Sequence, residues 1–418
     1  MIKGGLLNSL KSKIIIFFWL ILLLVGEVSA QMLMGQYEDE APLRTWNLFG
    51  LTTAPALSLG GSTFAYDSDP SVSLTNPALL SLFPSTAVTL NGSINSASLY
   101  SYGPVNTGVV TSTSNPSFKL YAFDFAGLSA PIKGWTIAVS VSYLEHYNRP
   151  PVEWEAKYKN VRYYTFKYDQ TGFLRNYNFS LSRKIFPWLS AGLGFNFVSG
   201  IWQKTLEENW LSSGITIEDN KKQDIAGFYL NGGLSINPHN SLFIGLAFRT
   251  PFSKKTQAES LLRYSAPAGD TEIILKAEAE NSYYQPLVLG AGLSYLISYE
   301  LRAVLDISFF NWSSYSVRYF KEDLNRNFKD VILLKGGLEY WNSLNIFGAV
   351  VKIPSRIGFC YDPQPMKEPK SYYSNFSLGM GIHLGKFKID TAVLMGRENG
   401  SGKSLSSQYA SLTLSYFW

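Results

Sequence analysis

The sequence predicts an all-β protein: a 14-stranded antiparallel transmembrane β-barrel with an N-terminal plug, or hatch, that contains a short helix. Three observations predict it. Apolar side chains alternate with small or polar ones at a strict period of two after residue 85. Short connections alternate with long ones along the chain. The last strand, QYASLTLSYFW, keeps Ala410, Leu412, Leu414, Tyr416 and Trp418 on one parity and ends on an aromatic residue.

The first thirty residues read as an export signal. Lys3, Lys11 and Lys13 precede an apolar run over 14–25, and Val28-Ser29-Ala30 offers a small-residue cleavage site before Gln31. That run is too short to span a bilayer, where about 20 residues are needed. The predicted units are therefore 1–30 signal peptide, 31–85 N-terminal hatch or plug, and 86–418 transmembrane β-barrel. The formal charge of +5 falls to about +3 once the signal is removed, which gives no reason to invoke nucleic acid. The single cysteine, Cys360, has no partner within the chain. Among the 27 Phe, 26 Tyr and 10 Trp, the Tyr and Trp suit a membrane–water interface, where one end of the ring is apolar and the other wet.

The strands follow from alternation. Leu189, Ala191, Leu193, Phe195 and Phe197 stand against Ser190, Gly192, Gly194 and Asn196. Phe376, Leu378, Met380, Ile382 and Leu384 stand against Ser377, Gly379, Gly381 and His383. Short turns are expected at 132–134, 184–187, 238–240, 298–300, 342–345 and 385–386. Long loops are expected at 101–116, 148–171, 203–222, 251–285, 321–329, 362–373 and 397–407. Six turns among seven loops require fourteen strands. Short turns on one side and long loops on the other describe an outer-membrane barrel, and closure removes the unpaired backbone edges that lipid forbids.

In front of the strands, DSDPSVSLTNPALLSL at 67–82 reads as the start of a short helix, capped by Asn76 with Pro77 at its first position. The apolar content of 54–64 and 79–83 argues for a segment folded into the lumen rather than a loose tail.

A small-residue run leading into NPA (Asn76, Pro77, Ala78) just before such a barrel resembles the FadL-type transporters of long-chain fatty acids and hydrocarbons. The segments LFIGLAFRTPF at 242–252, LDISFFNWSSY at 305–315 and SRIGFCYDPQP at 355–365 are similar to that family's barrel. The resemblance implies a hatch inside the barrel, apolar cargo such as fatty acids or hydrocarbons, and contact with outer-membrane lipid and lipopolysaccharide in a Gram-negative outer membrane. It also implies lateral exit at a kink in the third strand, although WTIAVSVSYLEHY at 135–147 carries no Gly or Pro to mark a bulge. Relatives of this architecture also serve in protein secretion, which would require a protein partner. A general diffusion porin is a further alternative.

No enzyme is expected. The three histidines fall in no triad, metal-ligand cluster or phosphate loop, and no cofactor or metal is called for. Parity turns Arg249, Arg302, Lys335, Arg356 and Lys388 inward, where Asp306, Glu339 and Asp390 can pair with them. Arg249 or Arg356 is the candidate for a ligand carboxylate. Phe243, Val304 and Leu394 on the wall, with Phe64, Leu79 and Leu80 on the plug, are candidates for an apolar chain.

Overall fold

In the computed structural model, residues 31–33, 53–66, 68–100, 110–113, 117–159, 161–266, 271–319, 322–324, 327–346, 349–368, 370–400 and 406–418 are described. The expected signal peptide and the lead-in over 34–52 lie outside them. Fourteen strands close a barrel: Ala87–Tyr100 (β1), Ser117–Ile132 (β2), Trp135–His146 (β3), Val161–Phe186 (β4), Leu189–Trp210 (β5), Ile215–His239 (β6) and Leu242–Arg249 (β7). Then come Val288–Leu296 (β8), Leu301–Phe310 (β9), Val331–Ile346 (β10), Ala349–Pro363 (β11), Tyr372–Leu384 (β12), Phe387–Asn399 (β13) and Ser406–Phe417 (β14). Each pairs antiparallel with the next, and β14 returns to β1 from Phe417↔Ala87 to Gln408↔Ser96. Alternation is its cause. On β12 Phe376 and Leu378 are exposed outward while Asn375, Ser377 and His383 are buried inward.

The long-loop end departs from expectation. The regions read as loops at 148–171, 203–222 and 251–285 are largely strand. Arg149–Tyr158 takes over from β3 as the partner of β4, and the hairpin Phe252–Ala266/Thr271–Gln285 takes over from β7 as the partner of β6. A one-sided wall therefore rises above the ring. Residues 161–172 of β4 lie above its last pair with β3, His146↔Phe173, which is about 40 Å of extended chain at roughly 3.3 Å per residue. At the other end, the turn expected at 342–345 is strand, with Asn342 opposite Ile353 and Asn345 opposite Val350.

The third strand does carry a bulge. Its register against β4 shifts between Tyr143 and Glu145, turning Leu144 and Glu145 both inward. At the same level β2 holds an extra residue, Asp124, opposite β1. The pairing of β2 with β3 stops at Phe125↔Ser142, leaving the strands unzipped above that point among the described residues.

Residues 53–66 and 68–83 fold inside the ring as a helix Ala54–Ser58 (α1) and two 3-10 turns, Pro70–Leu74 and Pro77–Leu82. Asn76 caps the second turn as its sequence suggests, accepting from Ala78 N at 3.2 Å. Glycines on the inward parity make room for this segment. A side chain at Gly245 would meet the Phe64 carbonyl, one at Gly192 would meet Pro77 and Ala78, and one at Gly358 would meet Leu59 and Gly60. Gly60 itself has φ +70° and lies against the Phe359 backbone, a combination only glycine tolerates.

Candidate functional site

The lumen divides into two layers. In the lower layer, side chains from the wall satisfy the backbone of the plug. Asp306 of β9 accepts from Thr63 N at 2.6 Å and Phe64 N at 3.0 Å. Asn76 donates through Nδ2 to Phe64 O (2.7 Å) and to Leu234 O of β6 (3.0 Å), tying plug to wall. Asn231 donates to Ser73 O (2.9 Å), Ser182 donates to Ala78 O (3.0 Å), and Thr413 Oγ1 accepts from Ala54 N (2.7 Å). A buried ionic chain runs alongside. Arg356 binds Glu339 at 2.8 Å and Asp390 at 2.6 Å, Tyr66 of the plug donates to Glu339 at 2.6 Å, and His383 Nε2 lies 3.0 Å from Asp390. Lys335 donates to Gly61 O at 3.3 Å.

Most of the candidate ligand residues lie in this layer and are engaged in packing. Phe64 is buried with Ala247, Val288, Phe310, Val331 and Leu333. Leu79 and Leu80 pack with Val72, Phe83 and Ala138. Val304 meets Leu59 and Tyr66, and Leu394 meets Ala54, Leu57 and Tyr409. Arg356 is spent on its two carboxylates. Phe243, half-buried on the inward parity of β7 opposite Ser294, stands near the short-turn end.

The upper layer is different, and sequence reasoning did not single it out. Leu144, Tyr147, Leu174, Val198, Trp202, Ile225, Tyr229 and Phe252 form one buried cluster from β3 to β6 and the wall hairpin. Arg249 is buried against it, its guanidinium 5.8 Å from the Tyr229 ring and 5.9 Å from that of Phe252. The Tyr229 hydroxyl and Trp202 Nε1 are buried without a hydrogen-bond partner among the described residues. Nearby, Lys254 and Glu145 form a buried pair at 3.2 Å. Beneath lies an amide ladder in which Asn176 and Asn178 both donate to Asn196, and Asn196 donates to Asn231. The signal for this cluster was available: Trp202 and Tyr229 share the inward parity of Asn196 and Asn231.

Above the cluster the inward face of the wall stays partly apolar. Tyr164 stands opposite Trp210, Tyr168 opposite Leu206, Leu262 opposite Leu275 and Tyr264 opposite Ile273. Burial holds the Tyr164 phenol above its ordinary value, and the Glu208 carboxylate adds to that. Lys204 and Lys221 meet Asp219 on this same face at 3.3 and 3.6 Å. On the outward face, Thr171, Gln203, Lys222, Glu259 and Glu278 line a polar cleft of 710 Å³.

The bulge at Leu144 brings further polar groups to the unzipped seam. Asp124 accepts from Tyr409 OH at 2.8 Å and from Asn91 at 3.3 Å, with His146 Nε2 at 3.5 Å. Outside the seam, the Arg175 guanidinium lies over Phe173 and Tyr143 at 4.7 and 5.4 Å.

Comparison with solved structures finds the same architecture. The Ralstonia pickettii toluene transporter TbuX superposes with a TM-score of 0.61 at 15% identity, over 89% of this chain and 99% of that one. A mutant of the monoaromatic hydrocarbon channel TodX gives 0.62 at 15%, over 88% and 98%. A Pseudomonas aeruginosa FadL homologue gives 0.59 at 14%, over 87% and 98%. The resemblance read from the NPA run is thus matched in fold, at identities too low to carry more. No curated protein matches the sequence. The BamG family model matches residues 49–407, from within the plug segment into the last strand. The chain belongs to the BamG family.

Proposed function

We propose that the chain is an outer-membrane transporter of hydrophobic compounds, exported by a signal peptide over 1–30 and inserted as a barrel over 86–418 with residues 31–85 as its hatch. The observation that carries this is the upper cluster. An inert plugged barrel has no use for Trp202, Tyr229, Tyr147 and Phe252 gathered above its plug beside a buried arginine. The similar folds of a toluene transporter and a monoaromatic hydrocarbon channel support the reading. Cargo caught on the inward face of the wall reaches the upper cluster, where Arg249 meets a carboxylate if there is one. Phe64, Leu79, Leu80, Phe243, Val304 and Leu394 line the way only if the hatch around Asn76-Pro77-Ala78 shifts.

Release is sideways through the seam between β2 and β3. Each buried methylene is worth about 0.8 kcal/mol, so a sixteen-carbon chain would forfeit roughly 12 kcal/mol by leaving through water. Sliding into the bilayer avoids that loss. A second reading, a barrel that serves as a component of a protein-secretion apparatus, is favoured by the many bonds that fasten the plug to the wall. A general diffusion porin is disfavoured by the filled lower lumen.

The test is uptake of labelled palmitate and labelled toluene by cells lacking their own transporter, with and without this barrel. Heat-shifted gel mobility reports whether the barrel is folded. Uptake of either compound supports transport and its preference gives the cargo class; a folded barrel that admits neither overturns it in favour of the second reading.

A further inference from the structure

We propose that the outermost strand of the wall, over residues 271–280, accepts an extended segment of a different polypeptide as an added β-strand. Thr271–Gln285 pairs along its whole length with Phe252–Ala266. On its other side only Ser282–Tyr284 meet a strand, Ser316–Arg318. Among the described residues, 271–280 therefore have no strand on that side. In an antiparallel strand, alternate residues direct both N–H and C=O to the same side, so this edge presents a regular row of donors and acceptors.

The side chains favour occupation. Natural edges are blocked by proline, by a bulge, by an inward-pointing charge or by charged side chains such as Lys; here the charges Glu272, Lys276, Glu278 and Glu280 all lie on the outward face and leave the inward one open to an apolar partner. Here the register with 252–266 is unbroken and no proline interrupts it. The inward-facing positions are Ile273, Leu275, Ala277 and Ala279, backed by Leu262 and Tyr264 on the next strand. Ile273 and Leu275 are 46% and 58% exposed. The outward positions include Glu272, Lys276, Glu278 and Glu280, an excess of two negative charges, and Glu259 stands opposite Glu278. The fitting partner is thus an extended segment with apolar residues on one face and Lys or Arg on the other. Main-chain bonds supply affinity and alternate side chains supply selectivity.

A second copy of this chain does not fit, an exclusion that rests on the outer-membrane reading. Antiparallel self-pairing needs a two-fold axis perpendicular to the strand. Two barrels upright in one membrane are related by an axis along the membrane normal, which is not perpendicular to a strand that leads up from the ring.

The test uses the full-length barrel in detergent and a ten-residue peptide of alternating valine and lysine, followed by hydrogen–deuterium exchange. At about ten times its Kd, the peptide should slow exchange at 271–280 about tenfold and leave the closed ring unchanged. Ala277→Pro, with heat-shifted mobility retained, should abolish the protection; if that variant does not fold, the backbone N-methylated peptide replaces it and should not protect. No protection, equal protection by a valine–glutamate peptide, or concentration-dependent dimerisation through this edge in sedimentation would each overturn the proposal. None of these outcomes depends on uptake.

Discussion

The two layers of the lumen are built from the same strands and solve opposite problems. Below, glycines thin the wall, the plug fills the space, and many of its polar groups meet carboxylates, amides or hydroxyls of the wall, although Ser62 Oγ and Glu339 Oε2 have no hydrogen-bond partner among the described residues. Above, large aromatic side chains replace the glycines, and the Tyr229 hydroxyl and Trp202 Nε1 lack partners. A buried polar atom without a partner costs about 1–3 kcal/mol. The difference is therefore one of filling: the lower layer is occupied by the plug, and on the transporter reading the aromatic upper layer is where a changing occupant would sit.

The largest effect that would break this contrast is at Glu339. It accepts from Arg356 and from Tyr66 of the plug at the same oxygen. Glu339→Ala leaves the guanidinium buried with one carboxylate and should cost about 3–5 kcal/mol, read as a lowered thermal midpoint of the barrel in detergent. A loss below about 1 kcal/mol, the range of exposed pairs, would mean that the lower layer is solvated and not a clamp.

Next in size is the fit of plug to wall. A Cβ at Gly290 would stand 2.4 Å from the Phe64 ring, so Gly290→Val should cost about 1–3 kcal/mol by overpacking. Combining it with Phe64→Leu should cost less than the sum of the two single changes, because the smaller side chain makes room for the larger. Additive losses in that double-mutant cycle would show that the plug does not press on this part of the wall. Asn76→Ala should follow at about 1–3 kcal/mol, since it strips donors from Phe64 O and Leu234 O together. Its distinguishing readout is ion conductance in planar bilayers, which should rise as the plug loosens while the folded barrel keeps its heat-shifted mobility.

The contrast also explains what could be read from sequence. The ring was legible because a membrane-facing strand must alternate, and Phe376, Leu378 and Leu384 show it without exception. The plug was legible through Asn76 and Pro77, whose local preferences survive in the folded chain. The wall was missed because its strands alternate aromatic with charged residues and carry Pro150, Pro151 and Pro251 nearby, which read as loop. Yet Tyr164, Phe166 and Tyr168 hold one parity, and that signal was present. The bulge at Leu144 could not be read: no Gly or Pro marks it, and it arises where β2 stops pairing with β3. Asn342 and Asn345 suggested a turn by residue type, but the ladder with β11 overrides that preference. The ligand candidates on the barrel strands were chosen by parity, and parity cannot tell a side chain facing a pocket from one facing a plug.

The smallest stability effect is the sharpest test of the upper layer. Tyr229→Phe removes a hydroxyl that has no hydrogen-bond partner and keeps the ring that packs on Phe252 at 4.8 Å and beneath Arg249 at 5.8 Å. Thermal stability should therefore move by no more than about 0.5 kcal/mol, or rise slightly. If the hydroxyl is there to meet cargo, uptake should change while stability does not, and the change should be greater for a carboxylate-bearing compound than for a hydrocarbon, which offers no strong acceptor. Equal effects on both cargoes would mean that the residue acts through ring packing. No effect on either would remove Tyr229 from the path and leave Arg249 to be tested alone, by Arg249→Met, for the same difference between palmitate and toluene.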